Sequence, residues 1–211
     1  MEFDLLPEYQ MIKDTVQRFV KEELLPLEPG VLAREAKEGI CRIKTEEKKV
    51  LLEKCKNLGL WGLDVPKEYD GMDLPAVAMV GINESIGTTP VPFTFPPDSP
   101  NLHMLKETVN EEQKEKYLIP YARGEKVSAI AISEPGAGSD PSSMLTKAVK
   151  DGTDWVINGR KIWISRVDEA DFTILIAVTD PEKGTRGGMS SFIIEKNTPG
   201  FIVGRKIPLI G

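Results

Sequence analysis

Hydrophobic positions recur at three-to-four spacing through the first part of the chain, which predicts helices, and gather into short β-branched runs through the rest, which predicts strands. Pro7 suits a first helical turn, and Ile12, Val16, Phe19 and Val20 line one face of a helix expected to stop at Pro26. A second helix is expected from Thr45, where Glu46 and Glu47 favour the positive end of the helix dipole, with Val50, Leu51 and Leu58 facing inward as far as Gly59. A third follows Pro75 through Val77, Val80 and Ile86 to Gly87. A fourth opens on a capping box, Asn110 with Gln113, ahead of Tyr117 and Leu118. Between the third and fourth, Thr89 to Pro100 holds too many prolines for a regular element and reads as an ordered loop packed by Phe93 and Phe95.

The texture changes at Gly124. Val127–Ser133, Trp155–Ile157, Lys161–Ile164, Phe172–Val178, Ser191–Ile194 and Phe201–Val203 read as strands, divided by Asp151-Gly152, Asn158-Gly159 and Lys183-Gly184. Asn158-Gly159 is the strongest two-residue hairpin signal. With no long helical crossover between the runs, antiparallel pairing in a barrel or sandwich is expected. The fold class is α+β: an all-helical domain over residues 1–126, then a β domain over 127–211.

Composition adds limits. The 211 residues, 40% hydrophobic and 28% charged, fit one large domain or two small ones with a real core. The net charge of −6 argues against a protein built to grip nucleic acid or an anionic membrane. It lies wholly on residues 1–126, with 17 basic and 23 acidic side chains; residues 127–211 carry 10 of each, so that half can face a phosphorylated ligand. Cys41 and Cys55 have no Cys or His partners at metal-binding spacing and read as reduced thiols. The acidic start, Met1-Glu-Phe-Asp, lacks the features of a secretory or transit segment, and no window nears the ~20 apolar residues of a membrane span, so the cytoplasm is expected. His103 stands alone and reads as a surface or packing residue, and Trp61 as core under a turn.

The stretch richest in chemistry is Ala131-Ile-Ser-Glu-Pro-Gly-Ala-Gly-Ser-Asp-Pro-Ser-Ser143. A strand runs into a turn of small residues whose backbone N–H groups can meet an anion such as a pyrophosphate. By residue type alone this is a weak signal.

The segment, however, matches every restricted position of the acyl-CoA dehydrogenase signature: small, aliphatic, Ser or Thr, Glu, two free, small, Gly, Ser or Thr, Asp, two free, small. Ile157-Asn-Gly-Arg-Lys-Ile-Trp-Ile-Ser165 resembles a second landmark of that family, a hairpin ending in Trp-Ile-Thr or Trp-Ile-Ser. Leu58-Gly-Leu-Trp-Gly-Leu-Asp-Val-Pro-Lys-Glu-Tyr-Asp-Gly71 and Glu112-Gln-Lys-Glu-Lys-Tyr-Leu118 are similar to its helical domain. The resemblance runs from near residue 5 to the end.

It implies an FAD-dependent enzyme that removes hydrogens across the α,β bond of an acyl-CoA, hydride passing to the flavin N5. Ile130, Ile132 and Ser133 would lie beside the flavin ring, Ser133 bonding its pyrimidine edge. Gly138 and Ser139 would meet the cofactor phosphates, and Ser139 also the pantetheine of the acyl-CoA. Trp163 would pack on the isoalloxazine and Ser165 would face N5. Arg186 would approach the CoA nucleotide, a task its guanidinium suits. One departure stands out: after Ser165 the family continues Asn-Gly-Gly, whereas this chain has Arg166-Val-Asp-Glu-Ala-Asp171.

In the family the Glu base lies in a second helical domain, so the resemblance places it beyond Gly211 and leaves the β domain unfinished, with no catalytic residue in this chain and no activity expected of it alone. Glu134 is not the counterpart of that base. The implied partners are the acyl-CoA substrate, an electron-transfer flavoprotein as acceptor, and further subunits in a homo- or hetero-oligomer; nucleic acid and a membrane span are not expected. The alternatives are a non-catalytic fragment or partner subunit, and an acyl-CoA oxidase relative.

Overall fold

The computed structural model describes residues 5–39, 41–97 and 99–207. The readings made above of Met1–Asp4, of Asp98 in the proline loop and of Leu209–Gly211 lie outside them. The chain divides into two compact units. One holds the described residues up to Leu102 together with Leu118–Gly124; the other holds His103–Tyr117 and Glu125–Ile207.

In the first unit α1, Pro7–Phe19, buries Val16 and Phe19 as its spacing predicts. Pro26 does not end the helical path, contrary to expectation. A π turn at Val20–Leu24 and a 3-10 turn at Leu25–Leu27 lead into α2, Glu28–Glu38, because Pro26 and Pro29 both fall in first turns, where a missing N–H costs nothing. Gly39 closes α2 at φ 67°, in the left-handed region, its N–H reaching the Glu35 carbonyl at 2.7 Å. Helix α3, Thr45–Asn57, starts where expected, and the carboxylate of Glu47 accepts the Lys44 N–H at 2.8 Å. Helix α4, Ala76–Ile86, follows Pro75.

The proline loop is ordered by aromatic packing. Phe19 lies 5.6 Å from Phe93 and 5.4 Å from Phe95, and those two meet edge to face at 5.6 Å. Cys55 is fully buried beside this core, and burial pushes its thiol up to about 12; Cys41 is half-buried.

The second unit takes most of α5, Leu102–Thr108, a helix unforeseen in the sequence. Next come α6, Glu111–Gln113, whose predicted capping box forms with the Asn110 Oδ1 accepting the Gln113 N–H at 2.8 Å, and a π turn at Lys114–Leu118. That turn leads into α7, Ile119–Ala122, in the first unit. Tyr117 packs against Phe172, the rings tilted with centroids 5.2 Å apart, and donates to the Glu195 carboxylate at 2.8 Å.

Five strands follow: β1 Ser128–Ala131, β2 Lys147–Asp151, β3 Asp154–Asn158, β4 Phe172–Val178 and β5 Met189–Glu195. The α+β reading holds, but the sheet is mixed rather than wholly antiparallel. β1 pairs parallel with β4, Ser128 opposite Phe172 and Ala131 opposite Leu175, while β4–β5 and β2–β3 are antiparallel. The parallel pair arises because some 40 residues, β2 and β3 among them, separate β1 from β4; a crossover needs length, not a helix.

Four local readings are corrected. Lys161–Ile164 and Phe201–Val203 form no strand, and Lys147–Asp151, unforeseen, does. The hairpin turns at Gly152-Thr153, where Gly152 adopts φ 60°, and not at Asn158-Gly159. Gly159 serves a different need: a Cβ there would stand 2.2 Å from Thr146 Oγ1 and 2.6 Å from Thr146 Cα, so only glycine lets the two backbones pass.

Candidate functional site

The candidate site belongs to the second unit and begins where β1 ends. Ile130 is half-buried in β1 opposite Ile174. Beyond Ala131 the chain leaves the sheet: Ile132 is exposed, Ser133 half-buried and Glu134 buried. A tight turn follows, closed by paired hydrogen bonds between the backbones of Glu134 and Ala137 at 2.8 and 3.2 Å. Gly138 and Ser139 lie on its exposed far side. Asp140 then opens a short 3-10 turn, its carboxylate accepting the Ser142 N–H at 2.9 Å and hydroxyl at 2.8 Å, which hold its pKa below the usual carboxylate range.

The segment carrying Trp163 is brought to this turn by backbone and charge. The Ile162 N–H donates to the Ser133 carbonyl at 3.0 Å. The Lys161 ammonium donates to the Ile132 carbonyl and to Glu134 Oε1, both at 2.9 Å. Ile164 packs against the alanine-rich core of Ala131, Ala148 and Ala177. Between these anchors Trp163 takes φ 60° and leaves its indole 62% exposed. Ser165 is exposed in the turn that follows, and Arg166, where the family's glycine-bearing tripeptide would begin, also adopts a left-handed φ of 63°.

Glu134 is the hub. Its Oε2 accepts the Leu145 N–H at 2.7 Å, and its Oε1 accepts the Thr146 N–H and Lys161 at 2.9 Å each. Burial would raise its pKa, but the Leu145 amide, Lys161 and the Thr146 amide outweigh that and lower it to about 2. A carboxylate so held is a structural anion, not a proton acceptor.

Of the predicted residues, then, Ile132, Ser133, Gly138, Ser139, Trp163 and Ser165 fall on two adjoining segments, with Ile130 in the strand behind. Arg186 sits apart in the exposed turn before β5; since β4 runs parallel to β1, that turn lies at the sheet end where the motif begins. Sequence reasoning missed Lys161, read there as part of a strand. Its signal was a cation standing directly before an apolar run.

The turn and the Trp163 segment leave backbone and indole open to an approaching ligand. Neither Gly136 nor Gly138 has a left-handed φ, and a Cβ on either would meet nothing within 4 Å. The protein's own packing therefore does not demand glycine there, and the open space lies in front of the turn. An exposed indole on a braced segment offers an apolar plane.

Comparison with known proteins gives the family. The profile described as "Acyl-CoA dehydrogenase, N-terminal domain" matches residues 7–125, and that described as "Acyl-CoA dehydrogenase, middle domain" matches residues 129–211. The chain belongs to the acyl-CoA dehydrogenase family. It is 40% identical to (R)-benzylsuccinyl-CoA dehydrogenase of Thauera aromatica, over 100% of this chain and 54% of that protein, and 35% identical to the short-chain specific acyl-CoA dehydrogenase of Clostridium acetobutylicum, over 97% and 52%. Among solved structures, the FAD complex of PigA superposes with a TM-score of 0.75 at 29% identity, over 99% of this chain and 53% of that one. The chain thus spans about half the length of the curated relatives it matches. Among the described residues no helix is long and apolar enough to cross a membrane.

Proposed function

We propose that the protein oxidises an acyl-CoA thioester to its α,β-unsaturated form with FAD as cofactor, acting through this site. The observation that supports the reading most is the pairing of an open glycine turn, Gly136 to Ser139, with the exposed indole of Trp163 on a segment bonded to Ser133. FAD, when bound, supplies the hydride acceptor. Trp163 would give one face of its ring an apolar wall, Ser133 and Ser165 would hydrogen-bond its polar edge, and the strand end at Ile130 and Ile132 would exclude water from the other side. Gly138 and Ser139 would donate to phosphate, with Ser139 shared by the pantetheine arm of the substrate and Arg186 pairing with the CoA nucleotide.

The oxidation also needs a base for the α-proton. Glu134 is excluded from that role by its three donors and lowered pKa. We assign the base to a carboxylate outside residues 1–211, in the part of the relatives' length that this chain does not span. Electrons would pass to an electron-transfer flavoprotein, and the working form would be an oligomer.

The test is to reduce the FAD-loaded full-length protein anaerobically with acyl-CoA thioesters. Bleaching of the flavin band that persists until an electron acceptor is added supports a dehydrogenase. Recolouring in air with peroxide release marks an oxidase. A protein that takes up neither FAD nor acyl-CoA refutes the reading.

A further inference from the structure

The exposed Trp163 should be the least constrained side chain of its segment, yet its backbone is the most constrained. Its φ of 60° lies in the left-handed region, which a residue with a Cβ avoids, and so does Arg166 three residues on, at 63°. Left-handed non-glycine residues persist only where neighbouring structure over-determines them. Among the described residues no strand provides that support: the segment is tied to β1's continuation by the Ile162 N–H to the Ser133 carbonyl, and Ile164 packs on Ala131, Ala148 and Ala177.

To these Lys161 adds a buried charged tie. Its ammonium is shared between the Ile132 carbonyl and Glu134 Oε1, and the two side chains are only 7% and 4% exposed. Glu134 in turn fixes the Leu145 and Thr146 amides. One ion pair therefore ties three separate segments at a point one residue before the backbone bond and two before Trp163.

We infer that Lys161 and Glu134 are a positioning pair: they hold Trp163 in its left-handed conformation and so set the plane that the indole offers to the flavin. This rests on the flavin reading above for its consequence, but the restraint on the Trp163 backbone stands or falls separately. Neither residue touches the cofactor in this account; both act through the geometry of Trp163.

The experiment uses the isotope-labelled 211-residue chain, reading the Ile162 amide exchange rate, the Trp163 indole resonance (assigned with Trp163→Phe) and FAD affinity by titration. In Lys161→Met the Ile162 amide should exchange about tenfold faster, a change expected for losing a charged hydrogen bond, with β4 amides unchanged, and FAD affinity should fall about tenfold. Lys161→Arg should restore both. Glu134→Gln combined with Lys161→Met removes the buried charges together and guards against a single variant that fails to fold. It should keep the loss if the role is positioning. Recovery of Ile162 protection and FAD affinity in that double variant would overturn the proposal in favour of mere charge neutralisation. If wild type and Lys161→Met bind FAD equally and share one Trp163 resonance, the pair positions nothing, while the flavin reading survives. If the wild-type chain binds no FAD, faster Ile162 exchange with a shifted Trp163 resonance in Lys161→Met still supports the positioning pair, whereas unchanged values overturn it.

Discussion

Glu134 and Lys161 meet at 2.9 Å in a place almost closed to water, the first on the turn that follows β1 and the second 27 residues on, at the start of the Trp163 segment. Two charges taken out of water must find nearly all their hydrogen bonds in the protein, and Glu134 does so with two amides and an ammonium.

Stability should fall on acidification for this reason. The folded pKa of Glu134, about 2, lies below its ordinary 4.5, so its contribution is complete above about pH 4.5 and is lost as pH falls from there toward 2. The amount is about 3 kcal/mol. Urea midpoints measured between neutral pH and pH 2 should show that slope, and Glu134→Gln should flatten it while lowering stability at neutral pH.

Gly138 should separate binding from folding. Its missing Cβ faces open space and its φ is outside the left-handed region, so Gly138→Ala should leave the fold intact or stabilise it by about 0.5 kcal/mol through the unfolded chain. FAD or CoA affinity should nonetheless weaken. Loss of thermal stability with unchanged binding would show that the glycine serves the protein's own turn.

Gly159 should behave in the opposite way. A methyl group 2.2 Å from Thr146 Oγ1 cannot be accommodated without backbone movement, and Gly159→Ala should cost about 1–3 kcal/mol in chemical denaturation. Since Thr146 also gives its amide to Glu134, the Ile162 amide should lose protection in the same variant.

Trp163→Gly should cost no stability. The residue is 62% exposed, and the loss of its remaining burial together with the greater freedom of glycine in the unfolded chain is offset by relief of a left-handed strain of about 1 kcal/mol. The melting temperature should hold or rise while any FAD-induced spectral change disappears. A clear fall in melting temperature would mean that the indole is needed for packing.

Legibility in the sequence followed the range of the interactions. The start of α1, the bounds of α3 and α4, and the Asn110–Gln113 cap are set by neighbours within a turn or two, and they appear where the residues point. Pro26 misled because a proline stops a helix or begins one depending on where the chain is next drawn, and Leu24 and Val31 are both drawn into the core. Asn158-Gly159 misled because its glycine answers a steric approach by Thr146, thirteen residues earlier, rather than a local turn.

The sequence by itself determined the α+β class, the signature segment from Ala131 to Ser143 and the Trp-Ile-Ser landmark, since each is written in contiguous residue types. Only the tertiary structure decided that β1 lies parallel to β4, that Lys161 closes on Glu134, and that Trp163 stands exposed on a left-handed residue. Those are properties of pairings between distant segments, and what selects them is the burial of charge and of apolar surface once the chain has closed on itself, which no local pattern encodes.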